Sequence, residues 1–470
     1  MTHIVRQHYL HVDLNGTEAD GMALQNRLAE LCHQRLIPAI ERALDRCAPS
    51  DGHLIIERLD IDAGTLTLGQ AEHDMAALVE QALEESLRAQ SAEAVPTQLS
   101  GIGTRKTVQQ AVHEAFIYFL KTGNLPWSFR LSAGKTLEQT LLDVWPTEPN
   151  ADAKRHVESA DLRAVLTSVT ARQRLTRQFS PRLLRRLLAR ISPVDKTEID
   201  PILTFLNDSR ADPNAVFLFG RLLWETAFAH AAAGAEPTEK QLVRTTWRAM
   251  PALTVASGTL ANELERYWPG VLKLGVHQAE NVAPEPETDF QQSGNETELG
   301  GQLDVEDGLH VNNAGLVLLH PFLPRFFETL GIADEHQLSQ ANRALCLLHF
   351  LATGQPTAPE HELLLPKLLF NIPLETPVDA DVALTEAEID EATALLNAVI
   401  SHWGALRGTS PDALRGTFLI RPGKLSLRSD GDWMLQVEPG AYDILLDQLP
   451  WSISMIKLPW MKRLLRVEWR

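Results

Sequence analysis

Gly134-Lys135-Thr136 has the glycine, lysine and hydroxyl that end a phosphate-binding loop, where backbone amides and an ammonium cradle a polyphosphate. Such a loop needs another glycine five residues before Gly134, where this chain has Phe129. It also needs a buried strand in front, and Trp127-Ser128-Phe129-Arg130-Leu131 is a poor one, so the match is rejected. Gly101-Ile102-Gly103 lacks the third glycine of a dinucleotide loop and reads as linker. Asp60 and Asp62 share one strand face and could hold a divalent cation. Two carboxylates without further oxygen donors make a poor site, and a solvated face opposite Leu59 and Ile61 is the expectation. His8 and His11 project to opposite faces of an extended segment, and His361-Glu362 lacks the second histidine of a zinc-protease helix. There is no Gly-x-Ser-x-Gly elbow. Cys32, Cys47 and Cys346 lack metal or redox spacing and read as buried thiols in a reducing compartment. No catalytic residue, cofactor or metal ligand is predicted, and the chain is read as a non-enzyme.

The elements around these residues predict an α+β fold, mainly α-helical, with a small N-terminal αβ unit and a C-terminal helical domain carrying a β-hairpin. At 470 residues the chain is too long for one core, and two to four domains are expected. In residues 1–90, Leu10, Val12 and Leu14 alternate with polar neighbours as a half-buried strand would. A helix follows with Leu24, Leu28, Leu31, Leu36, Ile40 and Leu44 on its apolar face, bent at Pro38. A second strand is expected around 53–62, then a helix carrying Met75, Leu78, Val79, Leu83 and Leu87, then a linker over 91–104. Residues 105–276 predict a helical middle region, ruler-like or repeat-like. One stripe is Val108, Val112, Ala115, Phe116 and Phe119; another is Leu183, Leu184, Leu187, Leu188 and Ile191. Residues 309–470 form a C-terminal α+β domain, with helices around 341–352 and 386–407. In it Lys424–Leu427 and Trp433–Val437 flank Ser429-Asp430-Gly431-Asp432 as a hairpin.

Charge is unevenly spread. The net charge of −18 argues against nucleic-acid binding, and no apolar run is long enough to span a membrane. Seven arginines lie between Arg172 and Arg190 with no acid among them, and are expected on one polar helix face or in a docking patch for an acidic surface. Residues 277–308 hold nine acids and no lysine or arginine, and read as an acidic linker.

Two internal echoes stand out. Phe116–Pro126 and Cys346–Pro356 each end an apolar helix in Thr-Gly followed by proline, through a shared cap or a duplicated module. Leu-Pro-Trp occurs at 125–127, 449–451 and 458–460, and Trp451, Trp460 and Trp469 are nine residues apart in a basic tail. Such indoles are core plugs or interface anchors.

Three blocks carry a family resemblance: Gly52–Leu66; Asn312–Pro324; and the stretch from His402-Trp403 through Ser410-Pro411-Asp412 to Leu449-Pro450-Trp451, Lys457-Leu458-Pro459-Trp460 and Val467-Glu468-Trp469. Together they resemble the tape measure proteins of phage-tail-like extracellular contractile injection systems. The resemblance implies a protein that sets inner-tube length and helps assemble the particle. It would be cytoplasmic during assembly and then lie inside, or at the end of, the tube. The implied partners are baseplate, spike or hub and inner-tube proteins, with self-association in several copies as a further expectation. The family supplies no catalytic residue or cofactor. On physical grounds, the partner-binding candidates are Trp451, Lys457, Trp460, Lys462, Arg463 and Trp469. The competing expectation is a helical interaction scaffold or assembly chaperone at the baseplate with no length-setting role. A fully helical chain of this length would span roughly 700 Å, but the strands, prolines and linker rule out a single rod.

Overall fold

A computed structural model describes residues 3, 5, 8–15, 17, 27–28, 31–48, 53–56, 58–62, 64, 68–93, 104–132, 134–145, 153–192, 199–251, 258–272, 308–333, 338–380 and 382–469. The chain divides into two compact units, Met1–Glu114 with Trp127–Trp145, and Ala115–Pro126 with Pro146–Arg470. The fold is α+β and mainly α-helical. The acidic linker expected at 277–308 lies almost wholly outside the described residues.

In the first unit the helices Ile37–Cys47 and Leu68–Glu93 bury Ala43, Leu83 and Leu87, with Ile40, Leu44, Ile56, Leu59 and Ile61 packed around them. Pro38 acts where its missing N–H predicts. The turn before it, Cys32–Leu36, is π-helical, and the Ile37 N–H reaches back to the Cys32 carbonyl. Strand β1 (His53–Ile55) pairs antiparallel with β2 (Thr104–Lys106), His53 opposite Lys106. That corrects two expectations. The segment 8–15 joins no strand, and Leu10, Val12 and Leu14 are 37%, 42% and 36% exposed. Alternation makes a chain compatible with a strand, but a ladder needs a partner edge, and 104–106, expected where the linker gives way to the helical region, takes that place.

The second unit contains a helical group and a C-terminal α+β group. The helical group is built on Pro213–Ala232, which Asp212 caps through the Ala215 N–H (3.0 Å). This helix buries Ala215, Phe219, Leu223, Trp224, Ala227, Phe228 and Ala231, more than one stripe, because Val169–Gln178, Pro181–Ile191 and Glu239–Arg248 pack around it. The predicted stripe of Leu183, Leu184, Leu187, Leu188 and Ile191 is buried on Pro181–Ile191.

The C-terminal group carries a five-stranded sheet, ordered β3 (Leu309–Val311), β4 (Gly423–Leu427), β5 (Trp433–Val437), β7 (Leu465–Trp469), β6 (Met455–Ile456). The hairpin forms as predicted, Gly423 opposite Val437 and Leu427 opposite Trp433. Its turn depends on Gly431 at φ +86°. β7 returns parallel to β5. Beneath the sheet the 3₁₀ turn Ala314–Leu319 is wholly buried. There the Gly315 backbone lies so close to Phe418 that a Cβ would overlap the Phe418 carbonyl oxygen.

Candidate partner segment and buried charge cluster

The six predicted partner residues separate by depth. Trp460 is 8% exposed, donates its indole N–H to the Leu369 carbonyl (2.7 Å) and packs on Phe370 (5.6 Å between centroids). Trp451 is half-buried, donates to the Leu318 carbonyl (3.1 Å) and meets Phe322 edge-on. Trp469 is half-buried and donates to the Asp443 carboxylate (3.2 Å), which also accepts from the Gly440 N–H (2.7 Å) and from Arg421. Lys457 and Lys462 are exposed, and the Lys457 ammonium donates to the Lys462 carbonyl (2.5 Å). Arg463 donates to the Gly431 carbonyl of the hairpin turn (3.0 Å). Each indole N–H is satisfied within the fold, as a mostly enclosed Trp requires. The lysines and the exposed Met455 beside them face solvent.

The arginine run is divided differently from expectation. Arg182 and Arg185 do lie on the exposed side of Pro181–Ile191, and Arg185 pairs with Asp200 at 3.0 Å. On the preceding helix, Val169–Gln178, Arg174 is fully buried, and this corrects the expectation of one polar face. Its Nε donates to Glu360 Oε1 (3.0 Å), one Nη to the Leu120 carbonyl (2.5 Å), and the other to the Glu375 carbonyl. Lys367, 1% exposed, donates to the same Glu360 oxygen (2.8 Å) and to the Leu374 carbonyl (2.9 Å). Burial pushes the Lys367 ammonium down, against the pull of Glu360. A buried carboxylate thus sits between two buried cations. Arg174 is invisible to periodicity because its partner is far along the chain. Lys367 had a signal: it is the lone charge in the run Leu363-Leu364-Leu365-Pro366-Lys367-Leu368-Leu369-Phe370.

The Thr-Gly echo rests on matching geometry. Gly123 and Gly354 are left-handed (φ 78° and 71°) and their N–H groups bond Phe119 O and Phe350 O, each at 2.7 Å. Thr122 and Thr353 each bond the carbonyl four residues back at 2.8 Å. An arginine then covers the equivalent carbonyl of each helix end, Arg174 on Leu120 O and Arg415 on Leu351 O (3.1 Å). These are C-caps completed by a cation at the negative end of the helix dipole.

His349 is 1% exposed, with Nδ1 3.5 Å from Glu362 Oε2. Burial holds it at about 4 despite a hydrogen bond with the Thr357 backbone, and burial pushes Glu362 up. In the first unit Asp60 is paired with Arg58 (3.0 Å), and Asp62 accepts from the Gly64 N–H (2.9 Å) in a local turn. Among the described residues no cluster of three or more His, Cys, Asp or Glu is arranged to hold a metal, and no helix is long and apolar enough to cross a membrane.

Capped helix ends, bonded indoles and a buried ion cluster thus hold the described C-terminal group together. The family model of the contractile injection system tape measure protein matches residues 2–469, and the chain belongs to this family. No curated protein and no solved structure gives a significant match.

Proposed function

We propose that this tape measure protein sets the length of the inner tube and helps assemble the particle. The observation that carries the reading is the family match over nearly the whole chain, ends and helical middle alike. Assembly would begin in the cytoplasm, with the chain held at the baseplate and spike or hub through its last twenty residues. Lys457 and Lys462 supply exposed charge there, and Trp451, Trp460, Arg463 and Trp469 brace the segment from behind. Domains at 1–90, 105–276 and 309–470 would divide the work, the middle one acting as the gauge.

A second reading, an assembly scaffold without a length-setting role, is favoured by the shortness of the helices. The longest described helix, Leu68–Glu93, spans only about 39 Å at 1.5 Å per residue. Particles assembled without this chain separate the two. The ruler reading predicts tubes of scattered length. Tubes of normal, uniform length would overturn both readings; complete loss of tubes fits either, and chains with 105–276 shortened or lengthened then decide.

A further inference from the structure

Within the second unit, the helical group (115–126 and 146–272) and the C-terminal group (308–469) meet at a polar joint. The apolar core gathered by Leu309 to Val467 includes no side chain of the helical group among the described residues. What crosses the joint is mostly hydrogen bonds and charge. Arg174 reaches Glu360 and the Glu375 carbonyl, and the Gln178 amide accepts from the Glu360 N–H (2.9 Å) and donates to the Val378 carbonyl (2.6 Å). Arg177 donates to the Pro377 carbonyl (3.3 Å), and Arg177 and Arg221 both face Asp379, at 3.7 and 3.2 Å. Phe119 against His361, edge-on at 6.1 Å, is an aromatic contact across it.

A buried ion cluster contributes little net stability, because the Coulomb gain is offset by lost hydration, and opening returns that hydration. It does specify one geometry, since a single misplaced partner leaves a charge buried alone. Segments 358–362 and 374–380 therefore act as a socket for one face of Val169–Gln178. The seat is close-fitting: a Cβ on Gly123 would overlap the Glu360 carboxylate and crowd Arg174.

We propose that this joint is a latch, and that the helical and C-terminal groups come apart along the Glu360–Arg174 contact as two bodies that stay folded. Interfaces between domains of one chain are commonly of this polar, separable kind. Opening it would lengthen the molecule without unfolding either core. That use rests on the ruler reading; the separability does not.

Hydrogen exchange on the full chain tests the latch, with Arg174→Met as one variant and Arg177→Ala with Asp379→Ala as another that leaves the buried cluster intact. The expected result in either variant is at least tenfold faster exchange over 174–180 and 374–380. Wild-type protection should persist in Leu223–Ala231 and Ala344–Leu351. Loss of protection in both cores together with the joint would show one cooperative body and overturn the proposal. Unchanged exchange at the joint in both variants would equally overturn it. Should Arg174→Met fail to fold, the double variant decides alone. Tube length plays no part in this readout, so the latch and the ruler can fail separately.

Discussion

His349 illustrates what a single buried group does to stability. His349 lies on the helix Ala341–Thr353, and its neighbours are His361 and Glu362 of the turn Glu360–Glu362 and the Thr357 backbone; Glu360 of that turn belongs to the cluster with Lys367 and Arg174. Folded, His349 titrates at about 4 against 6.5 for the free side chain. Between those values the unfolded chain binds the proton and the folded chain does not, so stability falls as pH drops from about 6.5 to about 4. At 1.36 kcal/mol per unit the loss approaches about 3 kcal/mol. Glu362, pushed up by burial, works in the opposite sense and trims the effect. His361 is held at about 4 as well, by burial and by His349, and acts in the same sense. His349→Leu should flatten the dependence of the urea midpoint on pH between 7 and 5. A variant with the wild-type slope would show that acid acts elsewhere.

At the scale of elements, the helix ends carry the sharpest contrast. Gly123 and Gly234 are both left-handed, at φ 78° and 67°, but a Cβ at Gly234 meets nothing within 4 Å, whereas one at Gly123 strikes Glu360. Gly234→Ala should cost only the left-handed penalty, about 1 kcal/mol. Gly123→Ala adds displacement of a buried, doubly paired carboxylate, for a total of about 3 kcal/mol. Thermal melts of the two variants, compared directly, isolate that close approach; equal losses would mean that the Gly123 cap does not seat on Glu360. Elements of this kind were largely legible beforehand. Leu183 to Ile191 announce a helix by period, Thr-Gly announces the helix ends at Thr122 and Thr353, and Asp430-Gly431 announces the hairpin, since each signal is local. What was not legible depends on partners distant in the chain. Leu10 to Leu14 alternate like a strand yet pair with nothing among the described residues, and β2 was hidden in three residues, 104–106. Arg174 reads like the other arginines of its run until Glu360, 186 residues away, is brought against it. The indole anchors fared similarly. The Leu-Pro-Trp repeats are visible as spacing, but that Trp460 faces Leu369 and Trp451 faces Leu318 is set only by the closed fold.

For the whole molecule, the physical problem is how a chain of short helices could measure something long. A length gauge needs a dimension that scales with residue number, and globular packing provides that poorly. Stacked helices supply one such dimension, because inserting or removing a helical piece changes the stack by a fixed rise. The polar joint between the helical and C-terminal groups offers a second, by letting two folded bodies separate. On the proposed ruler reading the gauge lies in 105–276 and the C-terminal segment holds the particle. The most direct measurement is inner-tube length, by electron microscopy of assembled particles, for chains with a helical piece of 105–276 deleted or duplicated. A ruler predicts tubes that shorten with the deletion and lengthen with the duplication, in proportion. Particles that assemble normally with unchanged tube length in both variants would contradict it.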